Sequence, residues 1–150
     1  MRTVTASAHV DAPPEAVFAF LADLANLPRW QTGIVSAELT TTGPLGVGSR
    51  AHVVRELMGQ RLAVDLALTD HQPGRRLELA SAASGIGVVA ELDLSPDGDG
   101  THLTFAMRIR AESVFMAPLE GIVAGAAERD IADSVARVRA HFAPPSPEAD

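Results

Sequence analysis

The sequence predicts a single α+β domain in which a seven-stranded antiparallel sheet is covered on one face by a long C-terminal helix. Three observations carry this. Residues 33–110 alternate apolar and polar side chains with a period of two, cut at short intervals by Gly, Pro and Asp, as in a meander of neighbouring strands. One more alternating stretch stands apart near the N-terminus, followed by short helical patterns. Residues 118–142 then repeat apolar side chains at helical spacing, with no proline after Pro118.

In chain order, Val4, Ala6, Ala8 and Val10 alternate with Thr3, Thr5, Ser7 and His9, a half-buried strand. Asp11-Ala12-Pro13-Pro14-Glu15 starts a helix, since Pro is tolerated in a first turn and Glu suits the positive end of the helix dipole. Val17, Phe20, Leu21 and Leu24 carry it to about Asp23, and Asn26-Leu27-Pro28-Arg29-Trp30 adds a second short turn. Six strands follow near 34–40, 49–58, 61–70, 75–82, 87–94 and 101–110. The breaks between them are Thr42 to Gly46, Gly59-Gln60, Gln72-Pro73-Gly74, Ser84-Gly85 and Pro96 to Gly100. Their apolar faces are Leu62/Val64/Leu66/Leu68, Leu77/Leu79, Val88/Ala90/Leu92/Leu94 and Leu103/Phe105/Met107/Ile109. The opposite faces carry Arg61, Asp65, Glu78, Glu91, Asp93, Arg108 and Arg110, so one side of the sheet is wet. The last helix presents Met116, Val123, Ala127, Ile131, Val135, Val138 and Phe142 on one arc and Arg129, Asp133 and Arg137 on the other. The domain is expected over residues 1–143, with 144–150 a disordered, Pro-rich tail.

Composition narrows the chemistry. The 150 residues are 47% hydrophobic, enough for one sizeable core. There is no Cys, which excludes disulfides, thiolate metal sites and Cys nucleophiles. Lys is also absent, which removes Schiff-base and P-loop chemistry. A net charge of -7 opposes nucleic acid and anionic membrane surfaces as partners. The N-terminal residues lack the apolar run of a signal peptide and no stretch is long enough to span a bilayer, so a cytoplasmic protein without integral membrane association is expected. Gly85-Ile86-Gly87-Val88-Val89-Ala90 fits a dinucleotide fingerprint, but the alternation that follows is a strand where the mechanism needs a helix. His9, His52, His71, His102 and His141 show no paired ligand spacing, so no metal and no cofactor are expected.

Several local words, in this order, resemble a known family. They are Val10-Asp11-Ala12-Pro13-Pro14-Glu15-Ala16-Val17-Phe18, Leu21 to Trp30, Leu45-Gly46-Val47-Gly48-Ser49-Arg50, Gln72 to Leu77, and Gly98-Asp99-Gly100-Thr101-His102-Leu103. Over residues 3–142 the chain resembles the START-related helix-grip superfamily (SRPBCC), in its polyketide cyclase/dehydrase and lipid-transport branch. The resemblance implies a curved sheet wrapped around the long helix, with a cavity between them that holds a hydrophobic small molecule in many members. The family has no universal catalytic motif, so activity does not follow from membership.

One charged side chain is placed on the covered face by pairing alone. With Gly59-Gln60 as a two-residue loop, Arg55 falls opposite Val64 and joins Leu62, Val64 and Leu66, while His52 and Glu56 point outward; a bulge would reverse this. A buried guanidinium must find a partner. Glu120 in the helix's apolar arc, a ligand carboxylate or polarised carbonyl, and escape to the sheet edge are the alternatives. Trp30, which the resemblance puts near the cavity mouth, either caps a ligand or packs beneath the helices. Met58, Met107 and Met116 are adaptable fillers. The expected ligand-binding set is Trp30, Arg55, Val64, Leu66, Leu79, Leu92, Phe105, Met107, Glu120, Val123, Ala127 and Ile131. The favoured function is binding of a lipid, isoprenoid or polyketide-like molecule. The alternative is a cyclase or dehydratase using Arg55 and a cavity carboxylate. Gly121 and Gly125, towards the helix's outer side, leave a homodimer open as well.

Overall fold

The computed structural model describes residues 1–57, 59–83 and 85–144. The expectations that fall on Met58, on Ser84 and on the tail from residue 145 lie outside the described residues. Strand β1 (Arg2–Val10) leads into α1 (Pro14–Ala22), a 3-10 turn (Leu24–Asn26) and α2 (Leu27–Trp30). The meander β2 (Ile34–Leu39), β3 (Arg50–Leu57), β4 (Gln60–Gln72), β5 (Arg76–Ala83), β6 (Ile86–Asp97) and β7 (Gly100–Ala111) follows, and α3 (Ala117–His141) ends the domain. The seven strands form one antiparallel sheet in the order β1-β7-β6-β5-β4-β3-β2. This is the α+β helix-grip arrangement.

Local chemistry sets the boundaries. Pro14 opens α1, and Asp23 ends the chain's first helical run and caps the 3-10 turn by accepting from the Ala25 N–H at 3.1 Å. β6 runs past Pro96, which composition marks as a breaker. β5 starts at Arg76 opposite Asp93, so beyond that point one edge of β6 is open and the missing N–H of Pro96 costs no ladder bond. Register irregularities at Ile34/Ser36 and Leu68/Asp70 are bulges, which bend strands and help the sheet curl.

The inner face is the one the alternation marks: Leu68, Leu77, Leu79, Leu92, Leu103, Phe105, Met107 and Ile109 are all buried. On the outer face Arg76 binds both oxygens of Asp93 at 2.9 Å, and Arg108 bridges to Glu91 at 2.8 Å and Glu78 at 3.3 Å. His9 and His102 lie on this exposed side too. The Gly85 to Ala90 segment is a turn residue followed by β6, not a helix start.

α3 does not lie centrally on the sheet. It packs chiefly on β1 and β7, through Ala124, Ala127, Ile131, Val135 and Val138. α1 closes against β6 and β7, and α2 against β2 and α3. The inner face of the far strands is therefore left partly uncovered by helix.

Candidate functional site

The β3–β4 ladder runs Leu57↔Gln60, Glu56↔Arg61, Arg55↔Leu62 and Val53↔Val64. Arg55 thus pairs with Leu62 and not with Val64, a correction of two residues that leaves every side chain on its expected face. Arg55 points inward. His52 and Glu56 are exposed on the outer face, where they meet Asp65 at 3.0 Å and Arg61 at 3.8 Å.

Arg55 enters a cavity of about 270 Å³ between α3 and the inner faces of β4 to β7. Leu62 and Val64 of β4, Ser81 of β5, Ile86 and Val88 of β6, and Met107 and Ile109 of β7 form the sheet wall. Met116, Leu119, Val123, Ala127 and Asp130 form the wall opposite, and Gln60 lies at the rim. A narrow extension of about 20 Å³ runs deeper, past Gln31, Ile34, Leu66 and Leu79.

The expected site residues divide into two groups. Arg55, Val64, Met107, Val123 and Ala127 line the main cavity, and Leu66 and Leu79 line its deep extension. Trp30, Leu92, Phe105 and Ile131 lie elsewhere, each 1% exposed in solid core, with the Trp30 and Phe105 rings 5.7 Å apart in a T-shaped contact. Trp30 packs beneath the helices, one of its two expected roles, because α2 tucks its side chain inward against β7.

Glu120 is not the partner of Arg55. It sits in the first turn of α3, where its carboxylate accepts from the Ala111 N–H at 2.9 Å and pairs with the N-terminal amine at 2.7 Å. The Ala111 hydrogen bond, reinforced by that amine, holds its carboxyl below the usual range. The carboxylate that faces Arg55 is Asp130, nearly three turns further along α3. Desolvation raises the Asp130 carboxyl, and the positive charge of Arg55 only partly opposes this. Burial in turn lowers Arg55 from its ordinary value, offset in part by Asp130.

The two groups do not close into a contact pair. Among the described residues, no carboxylate forms an ion pair with Arg55 and no group accepts a hydrogen bond from it; its Nε is buried without a partner. Gly33 explains the geometry. A Cβ on Gly33 would stand 3.3 Å from Asp130 Oδ2 and 3.6 Å from Arg55 Nη2, so the missing side chain leaves room for both groups. Its φ of 97° is also one that glycine adopts without strain. The Gly33 loop is tied to the helix: Ser134 Oγ accepts from the Thr32 N–H at 2.9 Å, and the Thr32 hydroxyl donates to Asp133. Gly33 O accepts from the Glu56 N–H at 2.6 Å, which joins the same loop to β3.

Asp130, Ser81 and Gln31 were not singled out in the sequence. Ser81 continues the Leu77/Leu79 alternation, and Asp130 lies three residues after Ala127 and four before Ser134, so both inward positions had a signal. The profile of the polyketide cyclase / dehydrase and lipid transport family matches residues 1–143. The chain belongs to that family. No curated protein sequence matches it, but solved structures share its fold. TTHA0849 from Thermus thermophilus superposes with a TM-score of 0.77 at 18% identity, covering 94% of this chain and 97% of that one. The Zhui aromatase/cyclase from Streptomyces sp. R1128 gives 0.74 at 15% identity, with 94% and 93% covered. A START superfamily protein from Mycobacterium smegmatis gives 0.74 at 16% identity, with 93% and 98% covered. A shared fold does not fix a function, so the side chains of this cavity carry the functional argument.

Proposed function

We propose that the protein binds a compact or single-chain hydrophobic molecule, such as a fatty acid, isoprenoid or polyketide-like compound, with its one anionic or strongly polarised oxygen placed against Arg55. The observation that carries this is the guanidinium of Arg55, its buried Nε without a partner, in a cavity whose walls are mostly apolar. A bare buried cation is costly, and a ligand oxygen would supply the missing hydrogen bonds while the chain fills the apolar walls. At about 270 Å³ the cavity is near the lower end of pockets that hold drug-sized ligands, roughly 300–1,000 Å³, which favours a small occupant over a two-chain lipid.

Titration with a fluorescent long-chain fatty acid tests this. Saturable binding is expected, weakened at least about tenfold by Arg55→Met, since hydrogen bonds to a charged group contribute about 1.5–3 kcal/mol. Asp130 offsets the Arg55 charge only in part, so the variant should melt close to the parent. Unchanged affinity in a folded Arg55→Met protein would overturn the anchor.

One observation favours a second reading, a cyclase or dehydratase. Asp130 and Arg55 flank the same gap, and burial makes Asp130 a stronger base than an exposed carboxylate. A polyketone lying between them could lose an α-proton to Asp130 while Arg55 holds the enolate oxygen. In that case Asp130→Asn abolishes turnover but retains ligand binding.

A further inference from the structure

The deep extension of the cavity is walled by apolar side chains such as Ile34, Leu66 and Leu79, but three polar ones also border it: Gln31, Arg55 and Ser81. Gln31 stands at the end of α2, where the backbone leaves the helix at φ -86° and ψ 110°, and is only 4% exposed. Its main chain is satisfied, since its N–H donates to Leu27 O at 2.8 Å and its O accepts from the Ile34 N–H at 3.2 Å. Its carboxamide is not: among the described residues that group makes no hydrogen bond. Ser81 interrupts the apolar alternation of β5 after buried Leu77 and Leu79, between Leu66 of β4 and Val88 of β6. Its hydroxyl likewise makes no hydrogen bond among the described residues. A carboxamide taken out of water is costly to bury unless a partner satisfies it.

Volume and chemistry narrow what the partner is. At about 20 Å³ the extension has room for one water-sized group. Among the described residues Arg55 supplies the only charge that borders it, and Asp130 borders the main cavity but not the extension. Gln31 presents an acceptor as well as donors, whereas Arg55 can only donate. Since neither Arg55 nor Ser81 donates to the Gln31 carboxamide oxygen, that oxygen needs a donor from the occupant. A hydroxyl gives one and accepts in return; a keto oxygen only accepts, and a methyl does neither. We propose that Gln31 and Ser81 form a second polar subsite that takes a hydroxyl group of the ligand, which makes the ligand a hydroxy acid and not a plain hydrocarbon chain. This subsite adds to the anchor at Arg55 and presupposes it. Because Arg55 borders both the main cavity and the extension, the two ligand oxygens lie within a few bonds of each other.

Displacement of the fluorescent fatty acid by decanoic acid and by its 2-, 3- and 4-hydroxy derivatives tests the subsite. At least one hydroxy acid should bind about fivefold or more tightly than decanoic acid, as a neutral hydrogen bond allows. The methyl ether of that hydroxy acid, which cannot donate and is too large for the extension, should lose the gain. In Ser81→Ala and in Gln31→Leu the preference for the hydroxy acid should fall towards one. Ser81→Ala removes a single oxygen, so it carries the test even where Gln31→Leu does not fold. The subsite is overturned if decanoic acid and all three hydroxy acids bind the parent equally, which leaves the position to water. It is also overturned if the preference survives both substitutions, or if the methyl ether binds as tightly as the hydroxy acid. Arg55→Met separates the subsite from the anchor. Unchanged affinity for every acid in that variant overturns the anchor, whereas weakened affinity together with no hydroxyl preference in the parent overturns the subsite alone.

Discussion

The two ends of the space between sheet and α3 draw on the same strands and are filled in opposite ways. At the α2 end, Trp30, Leu92, Phe105 and Ile131 close into solid core. At the other end Val64, Ser81, Val88, Val123 and Ala127 face each other across about 270 Å³. Hydrophobicity does not separate the ends, since both are largely apolar. Aromatic filling and helix placement do. The packed end has aromatic rings and two additional helices over it, whereas the hollow end has no aromatic ring among the described residues and lies under a helix seated to one side on β1 and β7. An apolar residue facing inward is therefore core or cavity wall according to what covers it.

The contrast can be broken at its strongest point first. Phe105→Ala should cost about 3–5 kcal/mol of stability, because the Trp30 contact and the surrounding core cannot collapse around the loss; chemical denaturation measures this, and a cost below about 1 kcal/mol would mean the two ends are equally loose. Val123→Phe tests the hollow end. Overpacking a filled core costs about 1–3 kcal/mol, but here the ring enters open space, so the midpoint should move by less than about 1 kcal/mol while fatty-acid binding is lost. A large destabilisation would show that the space is not available to a side chain.

The smallest effect lies away from both ends. His9 Nδ1 meets Asp97 at 2.8 Å and its Nε2 meets Asp11 at 3.1 Å, tying the β6–β7 tip to the chain leaving β1. The hydrogen bond to Asp97, with help from Asp11, raises His9 above its ordinary 6.5. Folding thus favours the protonated ring. Its contribution is complete below the unfolded value and is lost as pH rises through the raised one. Between about pH 6 and pH 8, the parent should lose slightly more thermal stability than His9→Gln. Equal slopes would remove His9 from the account.

Most of the fold was legible because period-two alternation and short turns constrain neighbours locally. Even the β3–β4 register, displaced by two residues, kept Arg55 on the right face, since only an odd shift turns a strand over. The partner of Arg55 was not legible for a reason of a different kind. Glu120 and Asp130 both border the helix's apolar arc, but ten residues of helix separate them by about 15 Å along the axis. Which turn lies beside Arg55 depends on how far α3 slides along the sheet. The Thr32–Ser134 clamp and the Gly33 gap set that position, and neither is written in any periodicity.

The sheet order carries a consequence for how the chain is made. Strands β2 to β7 each pair with a sequence neighbour, but β1 pairs with β7, Arg2 opposite Ile109 and Val10 opposite Thr101. The first strand of this domain has no partner until its last strand exists. α3, which packs chiefly on those two strands, cannot dock before they meet. Until then the inner faces of the meander stay open to water, so the domain must wait in a half-assembled state for its first and last strands to find each other.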